Sequence, residues 1–165
     1  MMVRWHLSVA LTIFASGLAW AGVPPPAQLG DLQIVHACLT SRTASLSSTC
    51  IGVASDACLK GTTSPQQRAQ CMTRERAVWD LFLNNDYQAL MANLRFKARR
   101  ELRIIERRFL AATERRCNFV RTAREREYAH DVERAEIEKC WMQATAVQWL
   151  WLRDFVDLAK PEKFQ

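Results

Sequence analysis

The chain reads as an all-α protein, with disulfide-stapled helical hairpins packed as a small antiparallel bundle. Three observations predict this. From Met72 onward, apolar residues recur at gaps of three and four, the period of a buried helix face. No run alternates polar and apolar residues as a half-buried strand would, and only five glycines occur in 165 residues. Six cysteines fall in pairs that bracket turn-rich segments. A chain of this length suits one domain with a core of its own.

Residues 1–21 have the pattern of a secretory signal. Arg4 supplies the positive start, Leu7 to Leu18 is mostly apolar, and Ala19-Trp20-Ala21 is a small-x-small ending. The apolar stretch is shorter than the roughly 20 residues a bilayer core requires. Cleavage is expected between Ala21 and Gly22. It removes Trp5, Trp20 and one cation, and it leaves all six cysteines. Export to the periplasm or the medium follows, with residues 22–30 as a Pro-rich, flexible lead-in.

A single helical domain is expected over 31–160, with 161–165 as a tail. Asp31 is placed to cap a short helix from Leu32 to Leu39. A second short helix is expected from about Ser48 to Lys60, ended by Gly61. Ser64-Pro65 then marks a strong start, Ser as N-cap and Pro at the first helical position. The helix that follows carries Met72, Trp79, Leu83, Tyr87, Leu90 and Leu94 on one face. Asn84-Asn85-Asp86 are poor helix formers, so a kink or break is expected there. The charged stretch 95–127 keeps helical spacing through Leu102, Ile105, Phe109, Ala112, Val120 and Ala123. Whether 72–127 is one helix or two stays open. The last stripe is Ile137, Cys140, Ala144, Val147, Trp151, Phe155 and Leu158, before Lys160-Pro161. On it Trp151 faces the core, whereas Trp141 or Trp149 is free to act as an exposed binding anchor.

An exported chain with an even cysteine count is expected to form disulfides. Six cysteines allow fifteen pairings, but the spacing favours one set. Cys38 and Cys50 flank a Ser/Thr-rich gap, and Cys58 and Cys71 flank Gly61-Thr62-Thr63-Ser64-Pro65. Each pair fits the end of one helix joined to the start of the next. Cys117 and Cys140 bracket a longer hairpin whose midpoint falls between Tyr128 and Ala129. The expected pairs are 38–50, 58–71 and 117–140, each contributing about 3 kcal/mol through the unfolded state.

Catalytic constellations are missing. The sequence has no glycine-rich phosphate loop, no G-x-S-x-G and no H-E-x-x-H. Past the signal, only His36 and His130 could serve as a base. No C-x-x-C pair or ligand spacing points to a metal, and no cofactor is expected. The reading is therefore a binding protein and not an enzyme. Charge is concentrated in one stretch: twelve Lys and Arg face five Asp and Glu between Arg95 and Glu127, in a chain whose net charge is +6. Arg99, Arg100, Arg103, Arg107 and Arg108 are the candidate contacts to an anionic partner. Export and the lack of interleaved aromatic platforms argue against nucleic acid, while contact with a membrane surface stays open.

The stretch Cys71-x-x-x-Glu75-x-x-x-Trp79-Asp80-x-x-Leu83-Asn84-x-x-Tyr87-x-x-Leu90 resembles the hallmark of the lysozyme inhibitor LprI-like N-terminal domain family. The resemblance runs from about Ala37 to Leu158. Its second half is carried by Arg107-Arg108-Phe109, Cys117, Cys140, Thr145, Gln148, Trp151 and Leu152. Four residues depart from the family pattern: Phe109 stands for Trp, Thr113-Glu114 for Arg-Asp, and Gln148 for Arg. The motif residues Glu75, Trp79, Asp80, Leu83, Asn84 and Tyr87 are expected to be structural. Asp80 and Asn84 lie one turn apart, within reach of each other or of a helix end, and Tyr87 combines a packing ring with a polar tip. The resemblance implies a protein partner, lysozyme, and protection of the cell wall by its inhibition. The alternative is a general envelope interaction module whose basic helices meet an acidic surface or partner protein.

Overall fold

The computed structural model describes residues 26–124, 130–156 and 159. The expected signal segment, the tail 161–165, Leu158, Arg126 and the turn at Tyr128–Ala129 lie outside them. Within the described residues the chain is helical and has no strand: α1 (Leu29–Ser41), a 3-10 segment (Ala44–Cys50), α2 (Val53–Leu59), α3 (Pro65–Asn93), α4 (Phe96–Arg124) and α5 (His130–Val156). None of these helices is long and apolar enough to cross a membrane.

Helix α1 starts earlier than the sequence suggests, with Gln28 at the N-cap. Asp31 is not the cap. It sits in the first turn, buried, with both oxygens held by Arg74 of α3 at 2.8 and 2.9 Å. The guanidinium fork matches the carboxylate plane and outcompetes a local cap.

The expected helix from Ser48 to Lys60 is instead two pieces. Serine and threonine side chains compete for nearby backbone groups and favour the short 3-10 segment. Gly52 then takes φ +105°, a left-handed conformation that costs glycine little, and starts α2 as its N-cap. Gly61, at φ +85°, follows the end of α2 as a helix-stopping glycine.

Ser64 and Pro65 begin α3 as expected, the serine side chain accepting the Gln67 N–H. The helix does not break at Asn84-Asn85-Asp86. Tertiary packing overrides propensity there, because Leu83 and Leu90 are both buried and Asp86 is engaged by Trp149 of α5. The break comes at Leu94-Arg95, so the described part of 72–127 is two helices, and the charged stretch lies on the second.

Helices α4 and α5 form an antiparallel hairpin. Helix α5 lies between α3 and α4 and runs in the same direction as α3, as the pairs Arg76–Glu138 and Asp86–Trp149 show. The α3–α5 seam is the largest in the molecule. At its centre Trp79, Phe82 and Trp149 meet with ring centroids 5.2–6.0 Å apart. Burying each tryptophan is worth roughly 5 kcal/mol of gross transfer free energy.

Two predicted stripes are corrected. On α4, Leu102 is buried, but Ile105, Ala112 and Ala123 are exposed, and the buried face continues through Thr113 and Cys117. On α5, Ala144 is buried as expected, whereas Val147, Trp151 and Phe155 are exposed. Met142, Ala146, Trp149 and Leu152 fill the core instead. Residues 147–152 are Val-Gln-Trp-Leu-Trp-Leu, so two neighbouring apolar stripes are available. Contact with α3 selects the one containing Trp149.

Candidate functional site

Cys71, Glu75 and Trp79 recur every fourth residue and so share one face of α3. Cys71 is bonded to Cys58 at the end of α2. One turn on, Glu75 is wholly buried and accepts three hydrogen bonds. Gly52 N–H donates to Oε1 and Ser55 N–H to Oε2, both at 2.6 Å, and the Trp79 indole donates to Oε1 at 2.9 Å. Gly52 and Ser55 are the N-cap and third residue of α2, so Glu75 caps that helix from α3. A carboxylate at a helix N-terminus also meets the positive end of its dipole.

The other motif residues serve the same framework. Asn84 donates to the backbone carbonyl of Asp80 at 2.8 Å and not to its side chain. Burial raises the Asp80 carboxyl above its ordinary pKa, and the Arg76 guanidinium partly offsets this. Leu83 is buried and Tyr87 packs half-buried against the core. Arg76 reaches α5, pairing with Glu138 at 3.3 Å and lying 5.0 Å over the Trp141 ring. Arg153 lies 4.9 Å over Trp149 and donates to Ser47 at 3.2 Å. Sequence reasoning missed Arg74 and Arg76, and it gave Asp31 the role of a cap and Trp149 that of a candidate exposed anchor, whereas both are buried. Only Gly52 with Ser55 carried a local signal, a glycine and a capping residue at a helix start.

The remaining disulfides join Cys38 to Cys50 and Cys117 to Cys140. No cysteine is free, and no group of His, Cys, Asp or Glu among the described residues could hold a metal ion. His36 is exposed, and His130 is exposed at the start of α5 with Nδ1 4.0 Å from Glu133.

Two surfaces remain. Arg100, Arg103 and Arg107 are exposed along one face of α4, with Arg108 to one side. Arg99 is half-buried, and its buried Nε has no partner. None of these five arginines joins an ion pair among the described residues. The second surface is an open cleft of about 1030 Å³ between α4, α5 and the 3-10 segment. Ile51, Phe109, Val120 and Val147 give it apolar walls, and Arg116 and Lys139 line it as well. Of the four residues that depart from the family pattern, Phe109, Thr113 and Gln148 line this cleft and Glu114 does not. Gln148 donates to Glu106 at 2.7 Å. Burial raises the Glu106 pKa, and this hydrogen bond partly offsets the shift.

A family model described as lysozyme inhibitor LprI matches residues 58–152. No curated protein and no solved structure matches the chain. The matched span holds Glu75, the second and third disulfides, the α3–α5 seam and the α4 and α5 walls of the cleft. It covers more than half of the sequence, and the chain belongs to the lysozyme inhibitor LprI family.

Proposed function

We propose that this protein is exported, binds a lysozyme and blocks it without catalysis of its own, so protecting the cell wall. The observation that carries this reading is the family match from the end of α2 into α5. Three disulfides fit an oxidising compartment outside the cytoplasm. The contact surface is the α4–α5 cleft, whose apolar walls and charged neighbours have the anatomy of a protein interface. The chain is basic, so a basic lysozyme gains no long-range attraction, and affinity must come from local fit.

A second reading is favoured by Arg100, Arg103 and Arg107 of α4, which join no ion pair among the described residues: a general envelope module that holds an acidic surface or partner protein through them. Salt separates the two, because an electrostatic binder releases as ionic strength rises and a contact made by shape and apolar burial persists. The test is inhibition of a panel of basic and acidic lysozymes at low and physiological salt. Near-stoichiometric inhibition that survives salt and is lost in Val147→Glu supports the inhibitor. Val147 is 57% exposed, so the substitution spares the core. Absence of inhibition across the panel overturns it.

A further inference from the structure

A second groove lies at the end of the bundle where α3 turns into α4 beside the last turns of α5. Its volume is about 530 Å³. Leu90, Leu94, Leu102, Ile105, Trp151 and Phe155 line it, and its only charged residues are Arg95, Lys97 and Glu101. Ile105, Trp151 and Phe155 stay 39–41% exposed, although each is large and apolar. The Trp151 and Phe155 rings lie 5.0 Å apart and form one continuous wall. The groove shares no lining residue with the α4–α5 cleft.

Size and charge select an occupant. The volume falls within the range of small-molecule sites, about 300–1,000 Å³. An α-helix, roughly 10 Å across, would fill it in little more than one turn. An extended acyl chain is thinner and needs only apolar walls. Arg95 and Lys97 flank the start of α4, where the free N–H groups and the helix dipole also favour an anion. Neither cation is in an ion pair among the described residues. Glu101, one turn further along, disfavours an anion there and so confines a negative head to the Arg95 end.

We propose that this groove binds a single long-chain carboxylate. Its chain lies against Ile105, Trp151 and Phe155, and its head sits at Arg95 and Lys97. The test is calorimetric titration of the oxidised protein with laurate below its micelle concentration. Dodecanol serves as the uncharged control, with neutral and anionic phospholipid vesicles alongside. Saturable laurate binding at one site is expected. The double variant Arg95→Glu/Lys97→Glu should weaken laurate by roughly tenfold or more while leaving dodecanol unchanged. Ile105→Asp should abolish both, and circular dichroism should show full helicity in every variant. Three results overturn the proposal: no saturation by laurate, laurate binding indifferent to these substitutions, or binding to anionic vesicles without binding of laurate. The last would make this end a membrane-contact face.

Discussion

The two flanks of α5 are built differently. Toward α3, polar groups are used up inside the molecule. Asp31 is locked to Arg74, Glu75 accepts three hydrogen bonds, Arg76 meets Glu138 and Trp141, and Asp86 takes the Trp149 indole. Toward α4 the seam is narrower. It is held by Cys117–Cys140, Glu106–Gln148 and Arg121–Glu133, while Arg100, Arg103, Arg107 and Arg108 point to solvent. Buried polar contacts are thus concentrated on one flank, and the exposed cations on the other.

The sharpest way to break that contrast is Glu75→Ala. It strands two backbone N–H groups and an indole N–H in the interior and should cost about 3–4 kcal/mol in urea unfolding. A loss below about 1 kcal/mol would mean that the α3 flank does not depend on this carboxylate. Replacing Cys117 and Cys140 by Ser should cost about 3 kcal/mol. Hydrogen exchange would then show α4 losing protection while α3 keeps it, and equal loss in both would erase the distinction. Asp31→Asn should cost about 1–2 kcal/mol, since the fork to Arg74 loses its charge while Arg74 itself is 37% exposed and partly screened.

The Glu106–Gln148 contact allows a smaller test. Burial raises the Glu106 pKa, so the folded state holds that proton more tightly than the unfolded chain does. Glu106 therefore makes stability fall as pH rises from the ordinary glutamate value through the raised one. Gln148→Arg places a guanidinium beside it, which lowers that pKa and flattens or reverses the slope. The gain at neutral pH should be about 0.5–1 kcal/mol, read from melting temperature against pH. The smallest effect is expected for Arg103→Ala and Arg107→Ala, within about 0.5 kcal/mol of the parent. A larger loss would show that α4 uses these cations structurally.

The sequence made the helices and their hinge residues readable because the causes are local: Ser64-Pro65, Gly61 and the three-and-four spacing act within a few residues. The cysteine pairs were readable from their spacing and from the turn-forming residues that fill the first two gaps. The faces of α4 and α5 were not. Where Val147 to Leu152 offers two apolar stripes, only the partner helix decides between them, and α3 chose Trp149 over Trp151. Arg74 finds Asp31 from 43 residues away, and nothing near either residue announces it. The motif on α3 was legible as a pattern, but the helix that Glu75 caps was not, because α2 starts at a glycine later than the serine-rich run suggested.

Helix α2 is held at its start by Glu75 and near its end by Cys71, two residues one turn apart on α3. Seven residues are too few to stay helical alone, so α2 forms only when α3 is there to receive it. The capped helix then presents Cys58 to Cys71 in bonding position. By seating α2, the Glu75 carboxylate favours this bond, which occurs in three of the fifteen possible pairings of six thiols. Glu75→Ala should therefore raise the share of scrambled disulfides when the reduced chain is oxidised.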